Sequence, residues 1–271
     1  MPRLEVNGAS IYYETAGSAS EPALLLIHAG IANLRMWDPQ LEALSRDHHV
    51  IRYDSRGFGE TTTQNIEFSD RADALALLDH LGVAKATVIG CSRGGQIALD
   101  LAVEFPHRVA GVVVIGGGPS GFPDLEMTAE EEALVDEMDI AFEQAEWERL
   151  NRLEVKLWSI GPGRDEAELD PEFVRTAYEL NAANIPHVTE KPTPIPLEPP
   201  SYDRVVDIAV PSLVMVGDCD LSEHLAESAY LLSTRPHADG VRFPNTAHLP
   251  NLERPEEFER VLTRWLADHG L

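Results

Sequence analysis

A serine in the pentapeptide Gly90-Cys91-Ser92-Arg93-Gly94 stands where a nucleophile could be presented to a substrate. The apolar run ATVIG precedes this serine and the helical run GGQIALDLAVEF follows it, so the pattern G-x-S-x-G falls on a strand-to-helix turn. Such a turn pushes the side chain out of the sheet, and the helix N-terminus beneath it favours developing negative charge. The sequence therefore predicts a catalytic Ser92; the alternative is a surface serine in a glycine-rich turn.

A base for this serine must come from the ten histidines of the chain. His248 is the favoured candidate because it lies in a loop after the last apolar strand and before a helix opened by Pro255. A histidine so placed can accept the hydroxyl proton of a nucleophilic serine. The remaining candidates are predicted at a strand end (His28) or on surface helices and loops (His224, His237 and His269).

Two aspartates, Asp218 and Asp220, follow the strand LVMVG and compete for the role of orienting the base. An aspartate that accepts the imidazole N–H fixes the tautomer of the histidine and stabilises its cation. The residues alone leave both open, and the loser is expected to be a solvated loop aspartate.

These groups must be positioned by short apolar runs that alternate with helical patterns. Asn7-Gly8 predicts a hairpin between the first two runs, and the later ones, such as ALLLI and VVVI, are continuously apolar, which is typical of a parallel sheet covered on both faces. The sequence predicts eight strands, at Arg3–Val6, Ser10–Glu14, Ala23–His28, His49–Tyr53, Ala86–Gly90, Val109–Ile115, Ser212–Val216 and Gly240–Phe243. Helices are predicted at Asp70–Leu81, at Gln96–Phe105 and from Pro255 onwards.

This alternation predicts an α/β fold with a doubly wound, mostly parallel eight-stranded sheet. The pattern breaks between residues 121 and 200, where 129–158 predicts one or two amphipathic helices and IPHVTEKPTPIPLEPP predicts an extended tether. We therefore expect a core of residues 1–120 and 201–271 with a helical cap, residues 121–200, inserted between its halves.

Several segments together resemble the α/β-hydrolase superfamily. LLLIHAGI is similar to its strand and oxyanion segment, RYDSRGFGET to its Y-D-x-R-G-x-G-x-S element, VMVGDCD to the strand before its acid, and NTAHLPNLERPEEF to the stretch around its histidine. The resemblance implies the triad Ser92, Asp220 and His248 in that chain order, because the family acid lies three residues after Gly217. Ala29, Thr61 and Asn245 depart from the usual glycine, serine and glycine.

The same resemblance implies an oxyanion hole formed by the backbone N–H groups of Gly30 and Arg93, with Ile31 as the alternative to Gly30. It also suggests side chains that could line a substrate pocket, although ordinary packing is an equal alternative for most of them. These are Ile31, Asn33, Trp37, Trp147, Trp158 and Leu249. The turn that contains Asp54 and Arg56 is expected to be structural.

Composition restricts the partners. The net charge of −25 disfavours nucleic acid and anionic lipid, and no apolar run approaches the roughly 20 residues that span a bilayer. The start of the chain has no signal-peptide pattern, the two cysteines make no disulfide framework, and the histidines show no metal-binding spacing. We expect a cytoplasmic monomer or homodimer that acts on a small molecule without a metal or cofactor.

The expected reaction is hydrolysis of a small carboxylic ester or lactone, since the sequence as a whole most resembles small esterases and 3-oxoadipate enol-lactonases. The same fold also supports C–C bond hydrolysis and cofactor-free perhydrolysis. A non-catalytic receptor that keeps the triad and senses a small molecule is the alternative from another class.

Overall fold

The computed structural model describes residues 2–271. Within them, the strands are β1 (Arg3–Val6), β2 (Ala9–Ala16), β3 (Ala23–Ile27), β4 (His49–Tyr53), β5 (Thr62–Thr63), β6 (Glu67–Phe68), β7 (Ala86–Cys91), β8 (Val109–Ile115), β9 (Thr193–Pro194), β10 (Ser212–Gly217) and β11 (Asp239–Phe243). The α-helices are α1 (Asp38–Leu44), α2 (Asp70–His80), α3 (Arg93–Glu104), α4 (Ala129–Glu143), α5 (Trp147–Glu154), α6 (Pro171–Ala182), α7 (Ser222–Thr234), α8 (Pro250–Glu253) and α9 (Pro255–His269). Shorter 3₁₀ turns lie at Leu34–Trp37, Pro106–Arg108, Glu166–Glu168, Ile185–His187 and Ser201–Asp207.

One large sheet runs in the order β1-β2-β4-β3-β7-β8-β10-β11, and the short β5 pairs with β2 beside it. The β1–β2 hairpin and the β2–β4 pair are antiparallel, whereas every later pair along the path is parallel. The predicted doubly wound, mostly parallel eight-stranded sheet is therefore confirmed. The eight predicted strands all form, with bounds that differ from the predicted ones by at most two residues.

Both faces of this sheet are buried, which explains its uninterrupted apolar strands. In β3, Leu25 and Ile27 belong to one hydrophobic cluster, while Leu24 and Leu26 belong to the cluster on the opposite face. Because successive side chains of a strand point to opposite faces, a strand covered on both sides must be apolar at every position.

The segment of residues 121–200 contains α4, α5 and α6 and no strand of the large sheet. The helix pattern over 129–158 resolves into α4 and α5, separated by Ala145 at a φ of 56°, followed by a wider π-helical turn at Val155–Ile160. The proline-rich stretch is less uniformly extended than predicted, because it begins in the 3₁₀ turn Ile185–His187 and carries β9, which pairs with β6. The division into a core and an inserted cap stays a prediction.

Near the site, one helix begins earlier than predicted, and one short helix was not predicted. Helix α3 begins at Arg93, directly after Ser92, and not at Gln96. Glycines occupy the start of α3, so its first turn shows no apolar periodicity in the sequence. Pro250–Glu253 forms a separate short helix, α8, before α9. No helix among residues 2–271 combines the length and apolarity that a membrane crossing requires.

Candidate active site

Ser92 lies on a sharp turn between β7 and α3, with φ 55° and ψ −122°. A non-glycine residue rarely adopts this conformation, and such strain is characteristic of a nucleophile held out of a sheet. A side chain at Gly90 would overlap the backbone of Gly94, and one at Gly94 would overlap the carbonyl oxygen of Ile27. The two glycines of the pentapeptide are thus required for the turn to pack against the sheet.

Asp220 follows β10 and His248 follows β11, so neighbouring parallel strands bring the two residues to one edge of the sheet. The Nδ1 atom of His248 lies 2.9 and 3.0 Å from the two carboxylate oxygens of Asp220, and both side chains are buried. Asp218 instead pairs with Arg242 at 2.6 Å, where both side chains are largely solvent-exposed. The structure therefore brings Asp220, and not Asp218, to the histidine.

Ser92 and His248 line the same cavity, which has a volume of about 390 Å³. Within residues 2–271, the Ser92 hydroxyl makes no direct hydrogen bond to the imidazole; such bonds are often long before a substrate binds. The rest of the cavity wall is mostly apolar or acidic, with Ser222 and His224 as its other polar side chains. It consists of Gly30, Ile31, Met127, Glu131, Val135, Glu154, Leu157, Trp158, Leu221, Ser222, Glu223 and His224. The backbone N–H of His248 lies 3.4 Å from the carbonyl oxygen of Trp158, which links the π-helical turn to the site.

The two backbone groups expected to form the oxyanion hole lie near the nucleophile. Gly30 lines the cavity, and Arg93 is the first residue of α3. Among residues 2–271, the N–H groups of Gly30, Ile31 and Arg93 donate to no other residue, so they remain available to an oxyanion. The geometry leaves the choice between Gly30 and Ile31 open.

The six side chains suggested as pocket-lining are placed very differently. Ile31 and Trp158 line the main cavity, whereas Trp147 lines an adjacent cavity of about 200 Å³ that shares Gly30 and Glu154 with it. Three expectations need correction. Trp37 and Leu249 are buried in the hydrophobic cluster that contains Phe243 and Phe258, and they reach neither cavity. Asn33 is buried as the N-cap of the Leu34–Trp37 turn, where its side chain accepts a hydrogen bond from the Arg35 N–H.

The turn expected to be structural is a buried polar connection. Asp54 accepts hydrogen bonds from the backbone N–H groups of Leu34 (2.7 Å) and Glu60 (2.8 Å), and burial raises its pKa to about 6. Arg56 forms a buried ion pair with Asp73 at 2.6 Å. These contacts join separate loops around the site and reach no cavity wall.

Sequence reasoning missed His224, which was predicted on the surface. Its ring stacks on the ring of His248, with centroids 4.5 Å apart and planes inclined by 22°. Asp220, His224 and His248 place possible metal-ligating atoms within 4.8 Å of one another. Hydrogen bonds already hold those groups, since His248 is bonded to Asp220 and His224 to Glu227. The available signal was spacing, because His224 comes four residues after Asp220 and three before Glu227.

A second missed signal is the run Gly116-Gly117-Gly118 after β8. A Cβ atom at Gly116 would lie 2.7 Å from Asp220 Oδ2 and 3.0 Å from His248 Nδ1. One at Gly117 would lie 2.6 Å from the Ser92 carbonyl oxygen, and one at Gly118 would overlap the side chain of Glu227. Each glycine therefore leaves room for a different part of the site.

The fold is that of the α/β-hydrolase class. Residues 22–255 match the family model described as the alpha/beta hydrolase fold, and the chain belongs to that family. The chain is 25% identical over 262 residues to 3-oxoadipate enol-lactonase 2 of Acinetobacter baylyi, covering 96% of this chain and 94% of that protein.

Two solved structures illustrate the structural similarity. Est816, described as an N-acyl homoserine lactone degrading enzyme, superposes with a TM-score of 0.73 at 26% identity and covers 97% of this chain and 99% of its own. A structure from work on carboxylesterases of the thaumarchaeon Nitrososphaera gargenis gives a TM-score of 0.79 at 24% identity, with 99% of each chain covered.

Proposed function

We propose that this protein is a serine hydrolase that cleaves a carboxylic ester or lactone of a small molecule. The observation that carries the proposal is the shared cavity of Ser92 and His248, combined with the bond from His248 Nδ1 to Asp220. That arrangement leaves Nε2 of the imidazole as the atom that can take the serine proton. The names of the Acinetobacter enol-lactonase and of the lactone-degrading Est816 support this proposal.

In the first half-reaction, Ser92 Oγ forms a bond to the carbonyl carbon while its proton passes to His248. Asp220 stabilises the resulting imidazolium, and the N–H groups of Gly30 and Arg93 hold the oxyanion. Collapse of the tetrahedral intermediate breaks the C–O bond, and His248 returns the proton to the departing oxygen. For a lactone, the ring opens and the departing oxygen becomes a hydroxyl group that stays on the same acyl group.

In the second half-reaction, water attacks the acyl carbon and gives a proton to His248. The bond to Ser92 Oγ then breaks, the serine regains its proton, and the carboxylic acid leaves. No further reactant is required, and every proton passes through the same imidazole.

Active-site labelling and turnover test this proposal together. Wild-type protein should react with a fluorophosphonate probe and hydrolyse p-nitrophenyl acetate, whereas Ser92→Ala should lose labelling and at least about a thousandfold in kcat/KM. The fold should persist, with an unchanged far-UV spectrum and Tm. Ser233→Ala is the matched control, because Ser233 is an exposed serine of α7 that bonds only the Tyr230 carbonyl.

A series of acyl esters of increasing length, together with small lactones, then separates the candidate reactions. Turnover of a lactone above that of all open-chain esters would identify a lactonase. Retention of a tenth of the activity by Ser92→Ala would refute the nucleophile. A labelled but nearly inactive wild-type protein whose Tm rises with a small ligand would identify a receptor instead.

A further inference from the structure

A second histidine–carboxylate pair lies against the proposed base. His224, in the first turn of α7, stacks its ring on His248 with centroids 4.5 Å apart. Both rings line the cavity, and both use Nδ1 to contact a carboxylate. The site therefore contains two stacked imidazoles, each with its own acid, and the proposed mechanism uses only one of them.

Glu227 holds the second ring in place. Its Oε2 atom lies 2.9 Å from His224 Nδ1, and both side chains are largely buried. The Glu227 side chain occupies the space beside Gly118, where any larger residue would collide with it. Glu227 therefore lies between the His224 ring and Gly118, and this position restricts the orientation of the His224 ring.

The surroundings of His224 are predominantly acidic. Asp220, Glu223 and Glu227 face it from its own segment, Glu131 and Glu154 line the same cavity from α4 and α5, and His248 faces it across the stack. Burial by itself lowers the pKa of His224, but the hydrogen bond that His224 donates to Glu227 and the charges of Asp220, Glu227 and Glu223 raise the pKa to about 8. The carboxylates around His224 therefore favour the protonated form of a ring that is stacked on the base.

We propose that His224 and Glu227 are positioning residues: the stacked His224 cation fixes the plane of the His248 ring and opposes its protonation in the free enzyme. The inference rests on the proposed role of His248 as the base. Two like charges at the stacking distance repel each other, so a proton on His224 disfavours a second proton on His248.

The acidic limb of the kcat/KM profile tests this coupling. His224→Gln removes the cation, and Glu227→Gln removes the carboxylate that keeps His224 protonated, so both should move the acidic midpoint upward by about 0.5–1 pH unit. At pH 5.5 this shift corresponds to a loss of about three- to tenfold in kcat/KM. As the pH rises well past the His224 pKa of about 8, the wild-type His224 loses its own proton, and the difference should vanish.

Glu190→Gln is the matched control. His187 and Glu190 form another pair three residues apart, with Nδ1 and Oε2 separated by 3.1 Å, but the other nitrogen of His187 bonds the Gly59 carbonyl. This control removes one carboxylate from a His–Glu pair that is not stacked on the base, and its profile should match that of the wild type. A purely structural role for Glu227 would lower activity equally at every pH, with an unmoved midpoint, and would overturn the proposal.

A titration that requires no activity separates this inference from the proposed function. In the Ser92→Ala background, the ring protons of His224 and His248 can be followed by NMR and assigned by the loss of one signal in each histidine variant. Glu227→Gln should lower the midpoint of His224 and raise that of His248. If both proteins are folded and Glu227→Gln leaves the two midpoints unchanged, the coupling is refuted, whether or not the protein hydrolyses esters.

Discussion

The carboxylate of Glu131 accepts two hydrogen bonds from Ser222, one from the backbone N–H at 2.8 Å and one from the hydroxyl at 2.9 Å. Glu131 belongs to α4 and also closes the capping box with Thr128, while Ser222 begins α7. One buried side chain thus satisfies orphan donors at the N-termini of two helices, one in the segment 121–200 and one beside the acid of the site. This contact connects α4, which contributes to the cavity wall, to the start of α7, which follows Asp220 and contains His224.

Replacing the Glu131 carboxylate should weaken the contact between α4 and α7. We expect Glu131→Gln to lower the free energy of unfolding by about 1–2 kcal/mol, because charge-assisted hydrogen bonds to buried donors are lost, and to lower Tm by about 3–6 °C. Glu132→Gln, at an exposed neighbouring position, is the control and should change Tm by less than about 1 °C. Thermal melts of the three proteins at neutral pH provide the measurement, and equal losses for both variants would contradict the assignment.

The same substitution has a defined pH dependence. Burial raises the pKa of Glu131, but the hydrogen bonds from Ser222 and Thr128 outweigh burial and leave the pKa below its ordinary value. A lowered folded-state pKa means that the contribution to stability is complete above the unfolded-state value and is lost as the pH falls through the folded-state value. The stability gap between wild type and Glu131→Gln should therefore persist at pH 7 and close under acidic conditions below about pH 4.

Gly116 should be intolerant of a side chain. Gly116→Ala places a Cβ atom against Asp220 Oδ2 and His248 Nδ1, and we expect kcat/KM to fall by at least about a hundredfold through misplacement of the imidazole. Gly82→Ala is the matched control, since Gly82 also has a positive φ (69°) but no atom within 4 Å of the added Cβ. Both variants share the backbone strain, so similar turnover for the two would show that the space beside Asp220 is not critical.

Substitution of the two candidate acids, Asp220 and Asp218, should have clearly different effects on kcat/KM. Asp220→Asn should lower kcat/KM by at least about a hundredfold, because the amide no longer selects the tautomer that presents Nε2 to Ser92. Asp218→Asn removes only an exposed pair with Arg242 and should change kcat/KM by less than about twofold. Steady-state kinetics on one ester decides the ranking, and the opposite order would transfer the orienting role to Asp218.

Substrate charge should influence turnover. The main cavity is lined by Glu131, Glu154 and Glu223 and, within residues 2–271, by no lysine or arginine. The arginines that follow the predicted oxyanion segment and Ser92 in the sequence form ion pairs with carboxylates, Arg35 with Glu14 and Arg93 with Asp70, both at 2.5 Å.

At low salt, we therefore expect a neutral ester to react about tenfold faster in kcat/KM than a carboxylate-bearing ester of the same size. Added salt should narrow this gap, since the Debye length falls to about 8 Å at 0.15 M. Paired measurements at low and high salt provide the test. Equal rates at low salt, or a preference for the anion, would show that the acidic wall does not select the substrate.

Local pattern determined the features of this protein that depend on local hydrogen bonding and burial. Continuous apolar runs predicted the parallel strands, because a strand covered on both faces cannot carry polar residues. The glycines around Ser92 predicted the turn, because only small neighbours permit so close an approach of strand and helix. The choice of Asp220 over Asp218 came from family spacing, and the residues by themselves had left it open.

Tertiary structure decided which side chains meet across the chain. One surface prediction, for His224, was wrong because a helix following β10 turns its first residues toward the loop after β11, and no local periodicity reports that encounter. Trp37 could be assigned to pocket or core only once the packing of the Leu34–Trp37 turn was known. Sequence periodicity shows that a side chain is buried, whereas its neighbours are set by where separate strands end. The Asn251 side chain, for example, donates a hydrogen bond to the carbonyl oxygen of Met36, 215 residues away in the chain.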